Sequence, residues 1–359
     1  RGVGREEPRE DRRRPRRRPR RRHRRHRLRR ALPRAHPLGH GDGRRHGDHR
    51  PHRRHAGGGP GDPRGLHGRE LLGLRRRSPM AGYEWILLDR PIEGVQRITL
   101  NRPEKRNPLS NALRAELFDA LLAGDADETV KCSIIRGAGG NFSAGYDLKQ
   151  DAAKEQPFYT PPGLGNWPRH VVEGFFLIND LAKPVIAQVE GYCLAGGTEL
   201  ATACDLVYCA EDAKIGYPVV RAISPPDNQF YPWIVGLRRA MEMMLTGDSI
   251  SGVEAAECGF ANRAHPGDEL EAAVLRVAGK IARVPADVQQ FNKRAVHRQM
   301  ELMGFRAAVR AGTELQALAM LGESARAHLR DIRDGGLTQA LSKRDADFGD
   351  YRESGRNDD

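Results

Sequence analysis

The sequence lacks several features that would assign it to common classes of protein. None of its apolar runs reaches the roughly 20 residues of a membrane-spanning helix, and its first residues lack the apolar centre of a signal peptide. Its five cysteines include no C-x-x-C pair, and an odd number cannot pair completely. We therefore expect a cytoplasmic protein without membrane association, in which reduced cysteines are buried as small apolar side chains.

Aromatic residues are absent from residues 1–79, which hold 28 arginines, no lysine, eight acidic residues and nine of the thirteen histidines. This segment has a net charge of +20 in a chain of +13, so the remaining residues carry −7. We expect it to be disordered, because it has little apolar surface to bury.

Three interpretations of residues 1–79 are open: a nucleic-acid-binding arm, a transit peptide, or text translated ahead of the true start of the protein. We favour the last, because patterned sequence begins just after Met80. A nucleic-acid partner is expected only if the segment is genuine.

The patterned part of the chain centres on a strand, a glycine turn and a helix start. Val185 to Val189 is a short apolar run, Gly196 and Gly197 follow, and Glu199 lies on the first helical turn. A backbone N–H at Gly196 beside a carboxylate suits proton transfer next to a carbonyl, since the N–H stabilises an enolate oxygen. The alternative is an ordinary glycine turn in which Glu199 complements the helix dipole.

Two motifs carry a resemblance to a known family. Pro184 to Asp205 resembles the P-V-I-A-x-V-x-G-x-x-x-G-G-G-x-E-L-x-x-x-C-D pattern of the enoyl-CoA hydratase/isomerase (crotonase) family, with Ala195 in place of the first of three glycines. Phe142 to Lys149 resembles the family's F-x-A-G-x-D-[IL]-K motif, about fifty residues earlier. The likeness extends from about Trp85 to Phe348.

The resemblance implies the crotonase α/β fold, a spiral of β-β-α repeats with a C-terminal helical region. We expect the α/β core in residues 80–265 and the helical region in residues 266–359. In the family these helices carry contacts of a homotrimer or hexamer and cap a neighbour's active site.

The resemblance also implies an acyl-CoA substrate and no metal or redox cofactor, with coenzyme A present only as part of the thioester. The amides of Ala144 and Gly196 would hold the thioester oxygen, and Glu199 would transfer a proton. Residues expected to contact coenzyme A are Lys105, Arg106, Ser143, Ala144, Tyr146, Asp147, Leu148 and Lys343. For the charged residues, the alternative is a solvated loop charge.

One position departs from the family's hydratases. They carry a second catalytic glutamate directly after the proline that matches Pro218, where this chain has Val219. Asp227, eight residues further on, resembles the catalytic aspartate of the family's dienoyl-CoA isomerases and the nucleophilic aspartate of its aryl-CoA dehalogenases. The dehalogenases lack a counterpart of Glu199, so proton transfer is favoured. Alternatively, Asp227 caps a helix that begins near Asn228.

The sequence therefore predicts an enoyl-CoA hydratase/isomerase, a lyase or isomerase that pairs Glu199 with Asp227. Thioester hydrolysis or dehalogenation through Asp227, and a non-catalytic RNA-binding protein of the same fold, stay open. Helical spacing also predicts that Met241, Met244 and Leu245 face the core. The histidines outside residues 1–79 show no metal-ligand spacing.

Overall fold

The computed structural model describes residues 82–149 and 154–349. The predictions for residues 1–79 lie outside this range. The described residues form an α/β fold with a mixed sheet followed by helices, as the sequence predicted.

Nine strands in the described residues form two sheets. The larger sheet has the order β1-β2-β3-β4-β6-β9 and the smaller has the order β5-β7-β8; only the pairs β1–β2 and β7–β8 are antiparallel. The β1–β2 pair is a hairpin that turns at Gly94, which has φ 75°. The strands are β1 (Ile86–Ile92), β2 (Val95–Leu100), β3 (Cys132–Gly137), β4 (Val185–Val189), β5 (Tyr192–Leu194), β6 (Leu206–Ala210), β7 (Lys214–Gly216), β8 (Ile250–Ser251) and β9 (Arg263–His265).

The α-helices cover the sheets and dominate the C-terminal third. They are α1 (Asn111–Ala126), α2 (Asn166–Asp180), α3 (Gly196–Ala203), α4 (Tyr231–Ile234), α5 (Gly236–Thr246), α6 (Gly252–Glu257), α7 (Gly267–Ala282), α8 (Ala286–Leu302), α9 (Phe305–Ala319), α10 (Glu323–Gly335) and α11 (Leu337–Asp345). Two 3-10 helices lie at Pro103–Lys105 and Pro218–Arg221.

Helix α1 shows how sequence pattern becomes packing. The Ser110 side chain accepts a hydrogen bond from the Leu113 N–H, which satisfies one of the unpaired donors at the helix start. Leu113, Leu117 and Leu121, spaced four residues apart, are at most 1% exposed and pack in the main core. Burying each leucine stabilises the fold by roughly 2 kcal/mol.

The helices after β9 do not all lie outside the α/β core. Helix α7 packs on β1, β2, β3, β4 and β6, with Leu270 and Val274 in the main core. Helix α9 packs against α2, and α11 packs against the 3-10 helix Pro218–Arg221. Helix α7 therefore belongs to the core, and the helices after it reach back to the loops that follow β7.

The predicted core face of α5 is wrong for Met241 and Leu245, whereas Met244 is partly buried and packs against the core. Met241 is 48% exposed and Leu245 is 76% exposed, whereas Met243 and Ala240 are buried. Hydrophobic spacing identified the helix, but the side that packs inward is the one occupied by Ala240 and Met243.

Two further observations concern the described part of the chain. No helix in it combines the length and apolarity needed to cross a membrane. All five cysteines are free, and four of them are buried, the exception being Cys258.

Candidate active site

A cavity of about 650 Å³ lies between the ends of β5 and β7, the start of α2 and the C-terminal helices. Helices α9, α10 and α11 line it with Met320, Leu329, Leu341 and Arg344 among others. These helices therefore cover the cavity of their own chain, whereas the sequence led us to expect that they cap a neighbour's site.

Glu199 lies on the first turn of α3 and is only 2% exposed. Three donors meet its carboxylate: the Tyr146 hydroxyl donates to Oε2 at 2.7 Å, the Tyr217 hydroxyl to Oε1 at 3.0 Å, and the Asp227 N–H to Oε1 at 3.0 Å. Burial raises the pKa of Glu199 to about 7, while these hydrogen bonds oppose the rise. Glu199 therefore changes protonation near neutral pH.

The Glu199 side chain is separated from the large cavity by its own partners. Tyr146, Tyr217 and Asp227 line that cavity, and Glu199 does not. Glu199 instead borders a second cavity of about 30 Å³. Of the Glu199–Asp227 pair, Asp227 is therefore the residue that lines the large cavity.

Asp227 is 4% exposed, and its Oδ1 atom has no hydrogen-bond partner within the described residues. The Trp167 indole N–H donates to its carboxyl group. Burial, followed by the negative charge of Glu199, raises the pKa of Asp227 well above its usual value. The helix-cap interpretation is wrong, because the next helix begins at Tyr231 and its N-cap is Phe230, without a side-chain cap.

The backbone donors differ from those predicted. The Ala144 N–H donates to the Arg106 carbonyl at 2.8 Å, so Ala144 is not a donor for a substrate oxygen. Gly145 and Asp147 pair with Leu109 through their O and N atoms, which directs the N–H of Tyr146 to the opposite side.

Gly196 lies on that opposite side. A Cβ built on Gly145 would come within 3.4 Å of the Gly196 nitrogen, and the Tyr146 ring lies against the Gly196 Cα. Neither the Tyr146 N–H nor the Gly196 N–H has a backbone acceptor among residues 82–149 and 154–349. The N–H groups of Tyr146 and Gly196 are therefore candidate donors to a substrate oxygen.

Ala195, immediately before α3, has φ 48° and ψ −119°. A positive φ strains a residue that carries a Cβ, and glycine adopts it freely. The sequence resemblance noted a glycine at this position in related chains, and the structure gives the reason.

The residues predicted to contact coenzyme A fall into two groups. Arg106, Asp147 and Leu148 line the large cavity, as does Ala144. The Tyr146 side chain also lines it, but its hydroxyl binds Glu199, so its position is at the carboxyl pair and away from an adenine site.

Three other predicted contacts are corrected. Ser143 is fully buried and its Oγ donates to the Asn107 carbonyl at 2.8 Å, so it does not line the cavity. Lys105 is exposed on the 3-10 helix outside the cavity lining. Lys343 is 69% exposed and pairs with Asp331 at 2.8 Å, whereas the next residue, Arg344, lines the cavity.

Three important residues were missed from the sequence: Arg114, Trp167 and Tyr217. Arg114 reads as a polar position on an amphipathic helix, yet it is 4% exposed. Tyr217 directly precedes Pro218, close to the position where a second glutamate was expected. This position in the sequence could have identified Tyr217 as a candidate site residue. Val219 itself lines the cavity with an apolar side chain.

The described residues include no group of three or more His, Cys, Asp or Glu side chains that could hold a metal ion. The polar groups at the site are instead two carboxyl groups, two phenols, an indole and two backbone amides. This set can hold a carbonyl oxygen and move protons.

Comparison with known proteins identifies the chains that share this arrangement of elements. The family model for enoyl-CoA hydratase/isomerase matches residues 91–351. The 2,3-dehydroadipyl-CoA hydratase of Escherichia coli (strain K12) is 33% identical and covers 70% of this chain and 93% of its own. The mitochondrial enoyl-CoA hydratase of Pongo abelii is 30% identical, with 75% and 89% covered.

A solved structure is similar over nearly its whole length. The crystal structure of an enoyl-CoA hydratase/isomerase from Xanthobacter autotrophicus Py2 has 36% sequence identity and a TM-score of 0.68. The match covers 74% of this chain and 99% of that one.

Proposed function

This chain belongs to the enoyl-CoA hydratase/isomerase family and processes acyl-CoA, and we propose that it isomerises the double bond of an enoyl-CoA thioester by proton transfer through Asp227. The proposal rests on Asp227, a residue that lines the cavity beside Glu199. Its Oδ1 atom is buried and has no hydrogen-bond partner within the described residues.

The thioester oxygen is assigned to the N–H groups of Tyr146 and Gly196. Both donors lack a backbone acceptor within the described residues, and they come from separate segments that converge beside Ala195. Two fixed donors stabilise the negative charge that forms on this oxygen when a proton leaves the neighbouring carbon. Coenzyme A then extends along the side lined by Arg106, Asp147 and Leu148.

In this proposal Asp227 transfers the proton, and Glu199 raises the pKa of Asp227. With a raised pKa, the Asp227 carboxyl can take a proton from one carbon of the enoyl group and return it two carbons away. The Trp167 N–H orients the carboxyl, and the Glu199 charge behind it keeps the pKa high. When two carboxyl groups lie together in one buried site, the state in which only one of them is ionised is favoured.

Isomerisation is favoured over hydration because of Val219. Hydration by two carboxyl groups requires both to reach the same side of the double bond, one of them to activate water. Val219 lies on the cavity wall where the second glutamate was expected, and Glu199 is screened. Hydration is the second candidate, because the relatives from Escherichia coli and Pongo abelii are named hydratases.

Hydrolysis or dehalogenation through Asp227 is less well supported. The aryl-CoA dehalogenases of the family lack a counterpart of Glu199, whereas in this chain Glu199 is buried beside Asp227 and accepts a hydrogen bond from its N–H, which favours proton transfer over nucleophilic attack. A non-catalytic RNA-binding role would not account for the two convergent backbone donors or for the buried carboxyl pair.

The test is a panel of enoyl-CoA and acyl-CoA thioesters scored for isomerisation, hydration and release of free coenzyme A. We expect isomerisation to be the main reaction. Asp227→Asn should lower its kcat by about 10²–10⁴-fold, the usual contribution of a general acid–base group. Hydration or coenzyme A release as the main reaction, or full activity of a folded Asp227→Asn, would contradict the proposal.

We also propose that the chain assembles as a homotrimer or hexamer. Large apolar side chains on and just after α8 are more than 60% exposed in the single chain: Phe291, Val296, Leu302 and Met303. Such a surface is typical of one that a partner covers. Light scattering of the purified protein would test this, and a monomeric mass would contradict it.

A further inference from the structure

Arg114 is a buried cation enclosed by aromatic rings. It lies near the start of α1, is 4% exposed, and its Nη1 donates to Asn111 Oδ1 at 3.2 Å. Its guanidinium carbon lies 5.6 Å from the ring centroid of Phe118, 5.7 Å from that of Tyr146 and 5.4 Å from that of Trp167. These distances are those of cation–π contacts.

This placement is unfavourable unless negative charge lies nearby. Removing a guanidinium from water is costly, and the N-terminal end of a helix disfavours a cation. Burial accordingly lowers the pKa of Arg114, while Tyr146, Asp227 and Glu199 raise it. An arginine is still charged after such a shift, so the site contains a fixed positive charge.

Two of the enclosing aromatic residues connect Arg114 to the carboxyl groups. The Tyr146 ring contacts Arg114, and its hydroxyl donates to Glu199. The Trp167 ring contacts Arg114, and its N–H donates to Asp227. Each carboxyl group is therefore one aromatic residue away from the same guanidinium.

The cavity of about 30 Å³ places Arg114 and Glu199 on a common wall with Asn228. Its volume accommodates a single water molecule. The Asn228 amide is fully buried, and both of its polar atoms lack a partner within the described residues. The side of Glu199 that faces away from the substrate cavity thus meets positive charge and an amide.

We propose that Arg114 is a positioning residue: it is the buried counter-cation that lets the Glu199–Asp227 pair hold one negative charge in a buried site. Its kinetic consequences rest on the proposed function, whereas its effect on the protonation of the pair does not.

The other titratable groups around the pair are neutral near pH 7. Burial and then Glu199 raise the pKa of Tyr146 and of Tyr217 well above the usual value. Burial and then Arg114 lower the pKa of His170 to about 3. The charge of the carboxyl pair is consequently balanced by Arg114.

The experiment compares wild type with Arg114→Gln and Arg114→Lys by measuring kcat/KM against pH. Loss of the positive charge makes ionisation of the pair harder, so both limbs of the Arg114→Gln profile should move up by about one pH unit. Arg114→Lys keeps the charge and should keep the wild-type limbs. Arg310→Met removes an arginine that contacts the Phe176 ring on the protein surface, and it should leave the profile unchanged.

A second readout does not need turnover. The infrared band of the protonated carboxyl, assigned by its loss in Glu199→Gln and Asp227→Asn, is titrated with pH in the same variants. Its midpoint should move up in Arg114→Gln. If the panel of thioesters shows no turnover, the proposed function fails while this titration still decides the role of Arg114.

An unchanged midpoint in folded Arg114→Gln would overturn the proposal. Should Arg114→Gln fail to fold, the double variant Arg114→Gln/Glu199→Gln carries the test. The double variant retains only the Asp227 carboxyl of the pair, and this group can stay protonated without a counter-cation because its pKa is raised by burial, so the proposal expects the double variant to fold. A double variant that also fails to fold would overturn it.

Discussion

The backbone N–H of Asp227 donates to Glu199 Oε1 at 3.0 Å and joins two residues that are 28 positions apart in the chain. One hydrogen bond therefore holds the loop after the 3-10 helix Pro218–Arg221 against the first turn of α3. The same bond relates the two residues to the cavity: Asp227 lines the large cavity, whereas Glu199, which accepts the bond, does not. Changes in the protonation of Glu199 thus act directly on the residue assigned to proton transfer.

Removing the Tyr217 hydroxyl should shift the pH dependence of activity. In Tyr217→Phe, Glu199 Oε1 loses a donor at 3.0 Å that favours its ionised form. We expect the acid limb of kcat/KM to move to higher pH. Tyr231→Phe is the matched control, because its buried hydroxyl donates to Thr198 Oγ1 and not to Glu199. An equal shift in both variants would show that the effect is structural.

A methyl group on Gly196 should disrupt the site without unfolding the chain. The Cβ of Gly196→Ala would lie 2.6 Å from Tyr146 Cε2, so the ring that holds Glu199 must move. We expect kcat to fall by at least about 10²-fold, the scale of one oxyanion donor. Gly267→Ala is the control, because a Cβ there meets nothing within 4 Å. Near-normal turnover of Gly196→Ala would rule out this arrangement of Tyr146.

Replacing Ala195 by glycine should stabilise the protein. Its φ of 48° is a region in which a Cβ is strained, and glycine relieves about 1 kcal/mol or more of that strain. Urea unfolding should show an unchanged or higher free energy of unfolding. The control, Ala201→Gly on α3, should be destabilised by about 1 kcal/mol, because glycine is unfavourable inside a helix. Equal losses in the two variants would contradict the strain argument.

Sequence reasoning found the parts of the site that depend on local structure. A strand, a glycine turn and a helix start specify one another over a few residues, so Gly196 and Glu199 could be placed together at a helix start. Asp227 required the family resemblance, because its contact with Glu199 is made by tertiary folding.

The missed and corrected residues depend on contacts between distant segments. Arg114 reads as a solvated helix position until rings from later segments enclose it. We propose Tyr146 and not Ala144 as the donor, because the loop turns through positive φ at Arg106 and Asn107, and the Arg106 carbonyl accepts from Ala144. The direction of a backbone carbonyl cannot be inferred from the side-chain pattern or from the spacing of residues.

Arg106 and Lys105 are neighbours with opposite placement, and they allow a direct comparison of coenzyme A binding. Arg106 lines the cavity and Lys105 does not. Arg106→Asn should raise the Kd of an acyl-CoA by roughly 10-fold at low salt, as expected for loss of a hydrogen bond from a charged group. Asparagine suits the positive φ of 59° at this position. Lys105→Asn should change Kd less than about twofold, and calorimetric titration of both variants would contradict the assignment if the order were reversed.

The stability of the protein should fall as pH rises, because of Glu199. Its pKa is about 7 in the folded protein against 4.5 when unperturbed, so between these values the folded state binds more protons than the unfolded state. The contribution is fully present below the unfolded pKa and is lost as pH rises through the folded one, a total of roughly 3 kcal/mol. Burial raises the pKa of Asp227 in the same direction.

Glu199→Gln cannot ionise, yet its amide oxygen can still accept from Asp227, so it removes the Glu199 part of this fall. The measurement is urea unfolding at about pH 5 and about pH 8. Wild type should lose more free energy of unfolding over this interval than Glu199→Gln. Glu254→Gln provides a contrast of opposite sign: the Ser251 N–H lowers the pKa of Glu254, so that carboxyl titrates below the interval and its replacement should leave the wild-type fall intact. Equal losses in wild type and Glu199→Gln would show that the protonation of Glu199 does not change over this interval, which would contradict its raised pKa.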